Sequence, residues 1–237
     1  MKKYMFVTVA LLGATGCTQP TAENKPDAQK TAVTDTAALH KAAEDHAPFT
    51  GAYAQPEPID ALPKQLAAFV PAGYAALDTA SGDLNLDNIP DMILVLKQNG
   101  EDTATEREYD NPILRPLIIL TGNGDGSYKQ AARNDKAVLC YNCAAGFGDP
   151  FSGITIKHGY FSVEHAIAGG QHWESVTTFK YDQQKADWLL YKEGYISYRM
   201  NDDTSADAEA LVKDVETQKT VKDFGIVPFS KYDTYKD

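Results

Sequence analysis

Two short apolar runs constrain the fold of this 237-residue chain more than any other feature. Residues 92–97 read MILVLK and residues 115–122 read RPLIILTG. A short, unbroken apolar run that is bounded by turn-forming residues predicts a strand that is buried on both faces. The core of the folded part is therefore expected to be β-sheet.

The chain around these two runs also reads as strands joined by tight turns. YAALDTASGD, at 74–83, predicts a strand before the first run. After the second run, the turn cluster GNGDG at 122–126 precedes a return strand, SYKQAARN. ITIKHGYFSVEH at 154–165 predicts a hairpin about His158-Gly159, because glycine readily adopts a positive φ. The stretch 175–194 predicts a second hairpin with a polar loop.

Two segments have the spacing of helices. LPKQLAAFV at 62–70 carries apolar residues at helical spacing and ends before Pro71. SADAEALVKDVETQ at 205–218 places Leu211 and Val215 on one face of a helix. The predicted fold is therefore mainly β, with antiparallel sheets arranged as a sandwich or a partial propeller, and with two or three short helices.

The beginning of the chain predicts export to the cell envelope. MKKYMFVTVALLGATGC has two lysines, a short apolar stretch and small residues before a cysteine, which is the pattern of a signal peptide over residues 1–16. Ala14-Thr15-Gly16-Cys17 resembles a bacterial lipobox. The resemblance implies a lipid on Cys17, attachment to a membrane and sorting to the outer membrane. The alternative is an ordinary signal peptide with a chance cysteine.

The remaining chain divides into a tether and one domain. Residues 17–48 contain no aromatic side chain and few large apolar ones, so they predict a disordered tether. Residues 49–237 have the length of a single β-rich domain. The formal net charge is -11 and no basic patch appears in the sequence, so nucleic acid is not an expected partner. The expected partner is an envelope protein or a glycan.

An acidic loop, GDLNLDNIPD at 82–91, leads directly into the first apolar run. Oxygen-bearing groups alternate along it, from the side chains of Asp83, Asn85, Asp87 and Asp91 and the backbone carbonyl of Ile89. Calcium prefers six to eight such oxygens, and three carboxylates this close repel each other without a cation. The loop therefore predicts a calcium site that supports the fold.

The same residues allow a comparison with two other kinds of loop. An EF-hand does not fit, because its last ligand should be glutamate and the residue there is Leu94, and because no helices flank the loop. A turn whose Asp and Asn side chains cap backbone amides does fit the same residues. Asn123, Asp125 and Ser127 could imitate a second metal loop, but a glycine-rich hairpin turn is favoured there.

The acidic loop and its surroundings resemble the calcium-loop repeat of FG-GAP and VCBS-type β proteins. The match runs from GDLNLDNIPDMILVL to PLIILTGNGDGSYK, over about residues 81–130. Asn88 stands where the repeat has glycine, and the chain has a single copy. The resemblance implies calcium binding and a β-repeat. The whole chain is also similar to bacterial lipoproteins of this single-copy type, a similarity that implies no activity.

The cysteine pair Cys140 and Cys143, in VLCYNC, allows several interpretations. In an oxidising compartment, a structural disulfide is favoured. A redox-active dithiol, half of a zinc site and two free thiols are the alternatives.

Catalytic and ligand-binding alternatives rest on two further sets of residues. His165, His172 and Glu174 could form a hydrolase site, although a structural strand and loop is favoured. Nucleophile-elbow, P-loop and dinucleotide motifs are absent from the sequence, which favours a non-enzymatic interaction or structural module. The strand aromatics could instead form a platform for a carbohydrate, namely Trp173, Phe179, Tyr181, Trp188 and Tyr191.

Overall fold

Nine strands form two antiparallel sheets in this computed structural model, which describes residues 62–103, 111–144, 146–168, 172–205 and 207–236. The predicted signal peptide, the predicted lipidation site Cys17 and the predicted tether 17–48 lie outside the described residues. None of the helices in the described ranges is long and apolar enough to cross a membrane.

The first sheet has four strands in sequence order, and its central two strands are the apolar runs. The strands are β1 (Tyr74–Gly82), β2 (Asp91–Gln98), β3 (Leu117–Gly122) and β4 (Tyr128–Asn134). Leu94 of β2 pairs with Ile118 of β3. The turn cluster 122–126 joins β3 to β4, as predicted, with Gly124 and Gly126 at positive φ.

The second sheet has five strands, also in sequence order. They are β5 (Phe151–Lys157), β6 (Tyr160–Ile167), β7 (His172–Asp182), β8 (Asp187–Met200) and β9 (Leu211–Thr220). Both predicted hairpins are confirmed. Lys157 pairs with Tyr160 across a turn in which Gly159 has a φ of 76°, and Asp182 pairs with Asp187.

The two sheets pack face to face as a sandwich, and the central strands of the first sheet, β2 and β3, are buried on both faces. Between the sheets, Ile93 and Val95 of β2 belong to the same core cluster as Phe161 and Phe179 of the second sheet. On the other face of β2 and β3, Leu94 belongs to a smaller cluster. That cluster includes Leu66 of helix α1 (Lys64–Ala67), which is shorter than the predicted 62–70.

The helix predicted over 205–218 is wrong, because Leu211–Thr220 is strand β9. Leu211 and Val215 lie four residues apart, which is one helical turn but also an even number of residues along a strand, so the spacing fits both. Strand β8 is fourteen residues long, and β9 supplies hydrogen-bond partners along its length from Lys192 to Met200. A helix there would leave that edge of β8 unpaired.

A short second helix follows β9 and returns the chain to the first sheet. Helix α2 (Val221–Phe224) begins at a capping box formed by Thr220 and Asp223. Two 3-10 turns, Glu101–Thr103 and Phe229–Lys231, complete the short helical elements among the described residues. The expectation of a mainly β fold with two or three short helices is confirmed.

One cation lies wholly inside the protein. Arg115 is fully buried and donates to Glu101, to Asp149 and to the carbonyl oxygen of Leu139. The shortest nitrogen–oxygen distances to the two carboxylates are 2.5 and 2.6 Å. Arg115 therefore ties the segment before β3 to the 3-10 turn at 101 and to the loop before β5.

Candidate metal site

The acidic loop 83–91 lies between β1 and β2 and contacts both sheets. Leu84 is fully buried in the core between the sheets. The carbonyl oxygen of Leu84 accepts a hydrogen bond of 3.0 Å from the indole nitrogen of Trp188, on β8. The carbonyl oxygen of Asp83 accepts one of 2.7 Å from the backbone nitrogen of Gly159, in the β5–β6 turn. The loop therefore joins the first sheet to the second.

The close approach of Leu86 explains why residue 159, in the β5–β6 turn, is glycine. A Cβ on Gly159 would lie 2.9 Å from a methyl carbon of Leu86, and Gly159 already has a positive φ. Within the loop, Leu86 and Asn88 both have positive φ values, 65° and 66°. Asparagine tolerates this conformation better than most residues, which explains why Asn88 can stand where the repeat has glycine.

Three side chains of the loop gather their oxygens around the backbone amides of residues 87–89. The nitrogen of Asp87 lies 3.1 Å from Oδ1 of Asp83 and 3.0 Å from Oδ1 of Asn85. The amide of Asn88 donates to the second oxygen of Asp83, and the amide of Ile89 donates to Asp87 over 2.7 Å. His158 also places Nδ1 3.3 Å from Asp83.

Asp91 has a different role from the other carboxylates. Its side chain is fully buried, and Oδ2 accepts hydrogen bonds from the amides of Leu84 and Asn85 while Oδ1 accepts one from Gly122. Burial raises the pKa of Asp91 above its ordinary value, although these amides oppose the shift and the charge of Asp87 adds to it. Asp91 therefore holds the loop closed and pins it to the turn after β3.

The oxygen atoms of the loop are of the chemical type that binds a hard cation. The buried Asp91 is not among the accessible ones. Asp83, Asn85 and Asp87 offer carboxylate and amide oxygens, which suit Ca²⁺ in chemical type, and the carbonyl of Ile89 adds one more. Among the described residues, no three His, Cys, Asp or Glu side chains are gathered closely enough to hold an ion. Calcium there would depend on Asn85, on a backbone carbonyl and on water for the remaining ligands, which favours modest affinity.

The turn 122–126 lies beside the acidic loop, and its polar residues bond to one another. The side chain of Asp125 accepts from the amide and the hydroxyl of Ser127, and the amide of Asn123 donates to the carbonyl of Ser127. Gly122 approaches Pro90 so closely that a Cβ would collide with its carbonyl oxygen. This agrees with the favoured interpretation of a hairpin turn.

The cysteines and the histidines occupy separate places. Cys140 and Cys143 form a disulfide, with their Cα atoms 5.1 Å apart. His165 and His172 are both buried, but they lie on opposite faces of the second sheet, because His165 pairs with Ser175, three residues from His172. Only His172 and Glu174 lie near each other, with 3.8 Å between Nε2 and Oε1. The three side chains do not form one site.

His165 is part of the core rather than an acid–base group. Its Nε2 accepts a hydrogen bond of 3.0 Å from the amide of Leu139, which requires a neutral ring with the proton on Nδ1. Burial, assisted by the charge of Arg115, lowers the pKa of His165 to about 3. It therefore stays neutral at physiological pH.

The aromatic residues separate into core and surface. Phe179 and Trp188 are buried, and Tyr181 packs against the same core. Trp173 lies on the same sheet face as Tyr195, which the sequence reasoning did not include. Their ring centroids are 6.1 Å apart and their planes differ by 29°.

Tyr191, the last of the predicted aromatic residues, lies in a different group. Its ring meets that of Tyr160 edge-on, and the ammonium of Lys180 lies over both rings. Tyr191 and Trp173 are therefore not parts of one surface.

The residues of the loop are recognisable in the sequence, but the residues that hold the loop in place are not. Gly159 and Trp188 bind its backbone from 76 and 104 residues away along the chain, and no local pattern indicates such contacts. Searches against protein-family models and against curated proteins find no match to the chain.

Proposed function

We propose that the protein is a lipid-anchored envelope protein whose β-sandwich is a non-enzymatic interaction or structural module stabilised by calcium at the loop 83–91. The observation that carries this proposal is the position of the loop. It is hydrogen-bonded to the second sheet through the carbonyl oxygens of Asp83 and Leu84, while Asp83, Asn85 and Asp87 carry carboxylate and amide oxygens within five residues.

Calcium would act here through the stability of the sandwich. A cation bound by Asp83, Asn85 and Asp87 offsets the repulsion between carboxylates and holds the backbone that meets Gly159 and Trp188 in place. A ligand that binds only the folded state stabilises it by about 2.7 kcal/mol at a hundredfold excess over its Kd. The effect would reach both sheets, because the loop contacts both.

Calorimetry and thermal unfolding of the full-length chain test the calcium site. We expect one binding site and a higher Tm in calcium than after removal of calcium by a chelating resin. The Asp87→Ala variant should lose both the binding and the rise in Tm. Unchanged calcium binding in this variant would place the ion elsewhere.

Asp125→Ala is the matched control for that experiment. Asp87 and Asp125 are both exposed, and each accepts a hydrogen bond from the amide two residues further on, at 2.7 and 2.9 Å. Both variants lose one such turn contact, but only Asp87 belongs to the proposed site. The calcium-dependent rise in Tm should persist in Asp125→Ala.

The lipid anchor has a separate test. The protein should appear in the membrane fraction of an expressing bacterium and incorporate labelled fatty acid, and the Cys17→Ala variant should do neither. Membrane association that survives this substitution would show that Cys17 is not the anchor.

A carbohydrate-binding function is a second candidate, supported by the ring pair of Trp173 and Tyr195. These two rings have planes 29° apart, and the Tyr195 ring, on a residue that is 38% exposed, offers an apolar face of the kind that sugar rings pack against. Titration with a soluble chito-oligosaccharide, followed by tryptophan fluorescence, tests it. Tyr195→Ala should abolish a saturable signal and Tyr191→Ala should leave it intact, whereas equal loss in both would argue against this pair.

A further inference from the structure

A cleft of about 510 Å³ lies between the end of β4 and residues 230–236. Its charged lining residues are Arg133, Asp135, Lys136, Lys231, Asp233 and Lys236. Four of these side chains are cationic and two are anionic, so the lining carries a formal charge of about +2. The whole chain has a formal charge of -11, so this cleft has the opposite sign to the protein around it.

Both walls of the cleft are fixed by one buried amide. The Nδ2 of Asn134 donates to the carbonyl oxygens of Phe229 and Tyr232, over 2.5 and 2.8 Å, and its Oδ1 accepts from the amide of Lys136. The amide of Thr234 adds a hydrogen bond of 3.0 Å to the carbonyl of Lys136. Because Phe229 is fully buried, the wall that carries Lys231 is anchored in the core.

The cations that line the cleft are only partly neutralised. Lys136 and Lys236 share a single carboxylate, that of Asp233, at 2.9 and 3.7 Å. Arg133 pairs with Asp135 at 2.6 Å, with both side chains about 40% exposed. Lys231 has no ion-pair partner among the described residues. The exposed pair of Arg133 and Asp135 contributes little stability, so an incoming anion can take over the donors of Arg133 at low cost.

We propose that this cleft binds a phosphomonoester. Such a group carries about -1.5 to -2 charges at pH 7 and three strong acceptor oxygens, which match a lining of about +2. Lysine and arginine side chains supply several donors each, and charge-assisted hydrogen bonds to phosphate are among the stronger ones. The volume of the cleft lies within the range of roughly 300–1,000 Å³ that small-molecule sites occupy. A sugar phosphate or the phosphate of a lipid headgroup supplies this chemistry.

This site is separate from the proposed calcium loop, and the two proposals fail independently. The cleft uses residues 133–136 and 231–236, none of which belongs to the loop 83–91. The experiment therefore uses the full-length chain in buffer freed of calcium by a chelating resin. A soluble polyanionic chelator is left out, because it would compete for the cleft.

Calorimetric titration with glucose 6-phosphate, with glucose as the neutral reference, tests the soluble form of the ligand. We expect glucose 6-phosphate to bind at one site, with an affinity that falls as sodium chloride is raised, and glucose not to bind. Flotation of the full-length Cys17→Ala variant, which lacks the proposed anchor, with phosphatidylcholine vesicles, with or without phosphatidic acid, tests the lipid form. Binding to either phosphomonoester that depends on the cleft supports the proposal, and the arm that responds identifies the source.

Matched lysine variants decide whether the cleft is responsible. Lys136→Gln and Lys231→Gln should each weaken binding at least about tenfold, because each removes a charge-assisted donor. Lys222→Gln, an exposed lysine on α2, should bind as the unchanged protein does. Equal binding by all the variants, equal binding of glucose, or no binding of either phosphomonoester would overturn the proposal.

Discussion

Replacing Asp91 by alanine should destabilise the sandwich strongly, even without calcium. The carboxylate accepts hydrogen bonds from the amides of Leu84, Asn85 and Gly122, and the first of these bonds is fully buried. A buried donor without a partner costs about 1–3 kcal/mol, and the two partly buried amides cost about 1 kcal/mol each. The gross loss is therefore roughly 3–5 kcal/mol. Burial raises the pKa of Asp91, which shows that the buried charge is itself unfavourable, and its removal offsets part of the loss. We therefore expect a net loss of about 2–4 kcal/mol.

Urea unfolding of the full-length chain in calcium-free buffer measures this loss. Asp87→Ala is the comparison, since Asp87 is exposed and its removal should cost about 1 kcal/mol or less without calcium. With calcium, Asp91→Ala should still gain stability whereas Asp87→Ala should not. A loss below about 1 kcal/mol in Asp91→Ala with an unchanged m-value would refute the structural role of Asp91.

Three further predictions concern the core. His165 has a pKa of about 3 in the folded state and about 6.5 in the unfolded state, so on acidification the unfolded state takes up the proton first and the free energy of unfolding decreases. Lowering the pH from 7 to 4 should cost ~3 kcal/mol through this group. Urea unfolding at the two pH values should find a smaller loss in His165→Gln. Arg115→Met leaves the buried carboxylate of Glu101 and the partly buried one of Asp149 without their cation and should cost roughly 3–5 kcal/mol by the same measurement. A loss under about 1 kcal/mol would be the contrary result. Cys140→Ser should lower the free energy of unfolding by about 2 kcal/mol under oxidising conditions, a small loss because the disulfide closes only a four-residue loop. After reduction, urea unfolding should find no difference between the variant and the unchanged protein.

The strands were predictable wherever a local pattern was strong enough. Residues 92–97 and 115–122 are unbroken apolar runs, and both became central strands that are buried on two faces. Both hairpins were marked by residues that suit their turns, such as Gly159. The strand 211–220 was mistaken for a helix because it lies at the edge of its sheet, where exposed polar residues hide the alternation that identifies a strand.

The acidic loop shows the limit of reading a site from its own residues. Its oxygen-bearing side chains are visible in the sequence as candidate ligands. In the structure they cap the loop's own backbone amides, and Asp91 also accepts a hydrogen bond from an amide of another turn. Whether such a loop also takes calcium depends on the balance between these hydrogen bonds and metal coordination. That balance is a property of the folded geometry, which spacing alone does not encode.

The cationic cleft was beyond the reach of sequence reasoning. Its two walls come from residues 133–136 and 231–236, which are about a hundred positions apart, and each wall alone looks like an ordinary mixed-charge surface. The buried side-chain amide of Asn134, the backbone bond from Thr234 to Lys136 and the ion pair of Lys136 with Asp233 bring them together. Asparagine is common in exposed turns, so nothing in its local sequence marked it as a buried contact.

The contacts that close the sandwich join residues far apart in the chain, which limits how early they can form during synthesis. Trp188 is hydrogen-bonded to Leu84, which lies 104 residues earlier in the chain, and Asn134 is hydrogen-bonded to Phe229, which lies 95 residues later. At a synthesis rate of roughly 5–20 residues per second, about 5–20 s separate the appearance of Asn134 from that of Phe229. Structures dominated by such distant pairings also fold slowly once complete. A nascent chain of this protein therefore lacks these closing contacts for several seconds, and the signal peptide proposed for residues 1–16 would act within that interval.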